Sequence, residues 1–123
     1  MVTYANAVKA ATILFVLVFA AQASAWAAVA VNPMGPNVGY GFGASPNRNA
    51  ARQNALRYCG PRCRLARETR TGCVALADNA IGYDTGIGRN KRAAERAALR
   101  SCQSFTGHPC SVRSYACSSG GNR

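Results

Sequence analysis

Apolar positions in this chain recur in a pattern that is written twice. A long apolar run, Ala10 to Ala21, stands apart from it at the start. Beyond that run, a short apolar stretch (Ala28 to Val31, and again Val74 to Ala77) leads through a loop into a Gly-Tyr segment, Val38 to Phe42 and Ile81 to Thr85. Each pairing reads as two strands. Two amphipathic helices are predicted next, at about Arg48 to Cys59 and Lys91 to Cys102. Ala51, Ala55, Leu56 and Cys59 share one face of the first, and Ala94, Ala98, Leu99 and Cys102 share one face of the second. Alanine on a buried face lets a helix sit close to a sheet. A closing strand follows each helix, Arg64 to Thr69 and Ser111 to Ala116. The order ββαβ, taken twice, predicts an α+β sandwich with both helices on one sheet or on its two halves.

The two units are related by duplication. Val38 to Cys59 aligns without a gap on Ile81 to Cys102, at a constant offset of 43 and with ten of 22 positions identical. Shared Gly, Tyr and Cys positions mean that alanine-rich composition alone does not produce the match. Farther along, Cys63 matches Cys110 and Cys73 matches Cys117, while Ala28 to Val31 resembles Val74 to Ala77. Gly43 and Gly86 suit a turn or bulge. Asn47 and Asn90 stand where helix N-caps belong, and Ser45-Pro46 offers the first helix a second start with Pro at its first position.

The leading apolar run changes the picture from a plain globular chain to an exported one. Lys9 precedes the run, and Ala23-Ser24-Ala25 supplies a small-x-small cleavage site. Residues 1–25 read as a signal peptide cut after Ala25, with Ala27 as a second cutting point. An uncleaved anchor running on to Val31 is the rival reading, and Gln22, Ser24 and the weakly apolar alanines speak against it. Residues 26–123 then form a single domain of two repeats, about 27–70 and 73–117, with no membrane span left.

Its charge is strongly unbalanced. After cleavage, 14 basic residues face 4 acidic ones, and 13 of the 14 are arginine. Such a surplus favours anionic partners. An acidic protein or an anionic polymer of the cell envelope fits export better than nucleic acid does. Six cysteines, all between Cys59 and Cys117, point to three disulfides in an oxidising compartment, secreted or periplasmic. Repeat symmetry predicts Cys59–Cys63 and Cys102–Cys110 as local bridges, with Cys73–Cys117 stapling the two units together. In the chain-entropy description the long bridge stabilises by about 4 kcal/mol and a short one by about 2 kcal/mol.

Ala-x-x-x-Ala-Leu-x-x-Cys, present as Ala51 to Cys59 and Ala94 to Cys102, occurs with Gly72-Cys73-Val74-Ala75-Leu76-Ala77 and a closing Tyr115-Ala116-Cys117. Together these segments resemble the secreted bacterial family known as domain of unknown function 4189. The resemblance covers nearly all of the chain beyond the leader. It implies a small α+β domain of the envelope or the extracellular space, and it carries over no activity and no catalytic residues.

Candidate chemistry is sparse. Acid–base catalysis calls for His or carboxylates near a substrate, and the exported part offers His108, Glu68, Asp78, Asp84 and Glu95. His108, with Asp78 and Asp84, defines a shallow site for the alternative function of a secreted effector or hydrolase. Read structurally, His108 is an exposed loop residue, Asp78 with Asn79 makes a turn, and Asp84 pairs with an arginine. No cofactor and no metal are expected, because Cys59-x-x-x-Cys63 is a poor zinc pattern. The feature that survives best is the cationic set Arg48, Arg52, Arg57, Lys91, Arg92, Arg96 and Arg100 on the two helices. Arginine forks suit phosphate and carboxylate, so the set marks a non-enzymatic binding module, an inhibitor or immunity-type partner among them.

Overall fold

The computed structural model describes residues 25–119. The leader expected over residues 1–25 lies, apart from Ala25, outside the described residues. Each unit opens with a strand covered on both sides. In β1 (Trp26–Val31), successive side chains alternate in direction, so Ala27, Val29 and Val31 point one way and Ala28 and Ala30 the other. Strands β2 (Tyr40–Ser45) and β3 (Arg64–Arg70) flank it antiparallel, in the order β2-β1-β3. The second unit repeats the arrangement, with β4 (Cys73–Asp78) between β5 (Tyr83–Gly88) and β6 (Ser111–Cys117).

The two sheets pack face to face. Ala27, Val29 and Val31 of β1 meet Val74 and Leu76 of β4, joined by Phe42 and Ala116. Their outward alanines receive the helices. Ala28 and Ala30 lie against Ala51 and Ala55 of α1 (Arg48–Cys59). Ala75 and Ala77 lie against Ala94, Ala98 and Cys102 of α2 (Lys91–Thr106). The layers therefore run α1, first sheet, second sheet, α2. This is the expected α+β class of two ββαβ units, built as two sheets rather than one. A single sheet covered only by the two helices would leave one face of both β1 and β4 to water, and both strands are apolar on both faces.

Several local expectations are corrected. Gly43 and Gly86 are not turns; they lie inside β2 and β5. A Cβ at Gly43 would stand 2.3 Å from the Ala51 carbonyl oxygen, and one at Gly86 would stand 2.2 Å from the Ala98 nitrogen. These glycines are where the helix backbone rests on the sheet. The Gly-Tyr strands accordingly start two residues later than predicted and run on to Ser45 and Gly88. Asn47 and Asn90 cap the helices, accepting from the Ala50 and Ala93 amides at 3.1 and 2.9 Å, and Pro46 stays outside α1. Helix α2 runs one turn past Cys102 to Thr106, where Gly107 turns left-handed (φ 75°) and donates its N–H to the Gln103 carbonyl.

Register also corrects the alignment of the first strands. Val31 faces Tyr40 and Asp78 faces Tyr83, so Ala27 corresponds to Val74, not Ala28. A one-residue slip would exchange the two faces of the strand. Under the same correspondence Cys73 matches Trp26 and Cys117 matches Arg70, the pairs that end each central-to-edge ladder. The disulfides are Cys59–Cys63, Cys73–Cys117 and Cys102–Cys110. Cys73–Cys117 joins neighbouring strands of one sheet, so it closes the second unit on itself and does not staple the units together. What holds the units is the apolar contact between the sheets.

Because the helix backbone has no room to move off the sheet without exposing the alanines, Gly86→Ala is expected to destabilise the fold by about 3 kcal/mol, an overpacking cost. Denaturant midpoints of the oxidised wild type and variant measure it; an unchanged midpoint contradicts the close-contact role.

Candidate functional site

The cations of α1 are largely taken. Glu68 of β3 shares the outer face of the first sheet with α1. It accepts from Arg48 at 2.9 Å and also from the Arg52 guanidinium. Hydrogen bonds from Arg52 and then Arg48 pull the Glu68 carboxyl down to about 2 from its ordinary 4.5. Arg48 additionally stacks 5.1 Å from the Trp26 ring centroid. In the second unit the corresponding positions carry Lys91, Glu95 and Tyr115. There the Lys91 ammonium sits 4.7 Å over the Tyr115 ring. An ion-pair cluster has been exchanged for a cation–π contact at the same place in the fold.

The outer face of α2 is different. Arg92, Arg96 and Arg100 are exposed and form no ion pair among the described residues. Spaced four apart, they recur at about 6 Å along the axis. Arg57, at the end of α1, is also exposed and unpaired. The helices occupy opposite outer layers, so the seven cationic positions singled out in the sequence do not form one surface. They divide into a pair on α1 that shares Glu68, Arg57 at its end, and a cationic row on α2 headed by Lys91.

The carboxylate site expected near His108 is not assembled. Asp78 and Tyr83 face each other across β4 and β5, as do Ala77 and Asp84, so Asp78 and Asp84 project from opposite faces of the sheet. Asp78 is held by Arg113 at 2.6 Å. Asp84 accepts from the Thr85 amide rather than from an arginine. His108 contributes its backbone carbonyl to the Asn79 side chain, within the loop that follows α2.

A second site was not singled out in the sequence. The two units differ in length at two places. Six residues separate Asn32 from Gly39, whereas two separate Asn79 from Gly82, although both loops close with the same Asn N–H to Gly carbonyl bond. Conversely, the helix-end bridge spans four residues in the first unit and eight in the second. The longer loop of one unit and the longer helix of the other meet at one end of the sandwich. Between them lies a cleft of about 270 Å³, bounded by Met34, Asn37, Asp78, Ile81 and Phe105 among others. Met34, Ile81 and Phe105 are 79, 62 and 72 % exposed. Beside it, Arg113 is the extra residue of a β-bulge, since Ser114 faces Leu76 and Val112 faces Ala77. The bulge turns its guanidinium onto Asp78, onto Asn37 at 2.6 Å, and to 5.7 Å from the Tyr40 ring. The signal for this site was present as the unequal loop lengths.

Glu68 has a depressed folded-state pKa, so its contribution is present above the unfolded value near 4.5 and is lost as pH falls toward 2. Glu68→Gln is therefore expected to cost about 1 kcal/mol at pH 7 and nearly nothing at about pH 2, compared with wild type by urea denaturation. A deficit that persists undiminished in acid contradicts the ion-pair account.

No curated protein and no solved structure matches the chain. Residues 26–117 match the family described as Domain of unknown function (DUF4189), from the start of β1 to the end of β6. The match takes in every strand and both helices of the described residues, and the chain belongs to DUF4189.

Proposed function

We propose that this chain is an exported interaction module that docks an anionic partner through the outer face of α2. One observation carries the reading: Arg92, Arg96 and Arg100 form an exposed row and make no ion pair among the described residues. Glu95, the one acid on α2, forms no ion pair with them, so the row keeps a surplus of positive charge that an outside acid can meet. Guanidinium forks match carboxylate and phosphate oxygens in pairs, so an acidic protein or an anionic polymer of the envelope is the partner class. Lys91 is drawn onto Tyr115 and contributes mainly background charge, while Arg57 belongs to another face. Export to the periplasm or beyond the cell is supported by the apolar leader with its Ala23-Ser24-Ala25 site and by three disulfides.

The test uses fluorescein-labelled poly-glutamate as the probe and reads anisotropy. Binding is expected to weaken steeply between about 50 and about 300 mM salt, because exposed charges are screened over that range. The triple variant R92E/R96E/R100E is expected to bind at least about tenfold more weakly, and R48Q/R52Q less than about threefold. Equal losses in the two variants, or no loss in either, overturn the assignment to α2.

A further inference from the structure

The cleft at the end of the sandwich calls for an occupant. Elsewhere the two units superpose element for element, down to a bulge at the same step of each ladder. Their length differences converge on this cleft, one from each unit. The residues those differences bring forward are apolar and exposed: Met34 on the longer loop and Phe105 on the added turn of α2, with Ile81 between them. Stability does not explain them. They contribute little burial where they stand, and exposed apolar side chains clustered around a concavity mark an interaction site.

The chemistry of the surroundings selects the partner. No unpaired cation or anion lines the cleft, because Asp78 is already held by Arg113 and Arg113 also engages Asn37. Three arginines lie at the same end of the sandwich, on the first-sheet side. Arg64 opens β3 opposite Val31, next to the loop that begins at Asn32. Gly39, at the loop's other end, rests against the Cys59 carbonyl, so Arg57 and Arg62 around the Cys59–Cys63 bridge lie at the same end. All three are exposed and form no ion pair among the described residues. We propose that this cleft docks an acidic protein segment that inserts one large apolar side chain between Met34, Ile81 and Phe105. A volume of about 270 Å³ accommodates a single side chain of Leu or Phe size, and carboxylates flanking it meet Arg57, Arg62 and Arg64. The inference shares with the proposed function an acidic partner, but it assigns a different surface and an apolar anchor.

The probe is a short synthetic glutamate-rich peptide with one central Phe, titrated into the native oxidised ¹⁵N-labelled protein. Two controls accompany it: the same peptide with Phe→Ala, and one with every Glu replaced by Lys. Amide shifts are expected in residues 33–37, 79–82 and 105, with binding at least about fivefold weaker for each control, the scale of losing an interface anchor. Ile81→Ser and Phe105→Ser, both at exposed positions, are each expected to weaken the Phe peptide about fivefold. Absence of shifts at those residues overturns the proposal, as does equal binding of the Lys peptide. Self-association that Ile81→Ser abolishes overturns it too, because the occupant is then a second copy of the chain. R92E/R96E/R100E separates the two readings. If poly-glutamate binding survives that variant while the Phe peptide still shifts the cleft, the α2 assignment fails and the cleft stands. If poly-glutamate binding falls while the cleft stays silent, the reverse holds.

Discussion

Everything in this fold depends on β1 and β4 being covered on both faces at once. Their inner side chains, Val29, Val74 and Leu76, are fully buried between the sheets, and each such side chain stabilises by about 2 kcal/mol through removal from water. Their outer side chains are alanines, which bury little area but let α1 and α2 approach until backbone meets glycine at Gly43 and Gly86. A small domain cannot build a thick core. This one divides its apolar surface over three thin interfaces and makes each of them close.

That arrangement assigns the disulfides a modest architectural role. Two tie a helix end to the strand that follows, and the third closes a ladder inside the second sheet. None crosses between units. The chain-entropy benefit of the long bridge, about 4 kcal/mol, acts on the unfolded chain. Association of the units is left to side-chain packing. Trp26 and Arg70 occupy in the first unit the places that Cys73 and Cys117 hold in the second. One edge is therefore closed covalently, and the other is finished with a large aromatic under Arg48.

Likeness between the two units explains the scaffold, and difference between them explains the surface. Where the units agree, the residues are capping asparagines, contact glycines and buried alanines. Where they disagree in charge, one unit keeps an Arg–Glu–Arg cluster while the other replaces it with Lys91 over Tyr115 and adds Arg92 and Arg96 where the first has Asn49 and Gln53. Where they disagree in length, a cleft opens with apolar walls. Scaffold positions answer to packing, which both units need equally. The diverged positions lie where packing makes little demand.

Read alone, the sequence determined the element order, the helix caps, the repeat and the class of fold, because each follows from local chemistry: alternation, periodicity, Asn before a helix. It determined the charge surplus as well, since that is a count. It misjudged Gly43 and Gly86, because glycine in a turn and glycine beneath a helix look identical until the helix is placed. The choice between one sheet and two, the one-residue slip in the first strand and the inter-unit staple share a cause. Each depends on which face of a strand meets which neighbour, and no residue encodes that by itself. The same holds for the arginines. Glu68 lies far along the chain from Arg48 and Arg52, and tertiary structure alone brings it beneath them, deciding which cations are paired inside the molecule and which stay exposed.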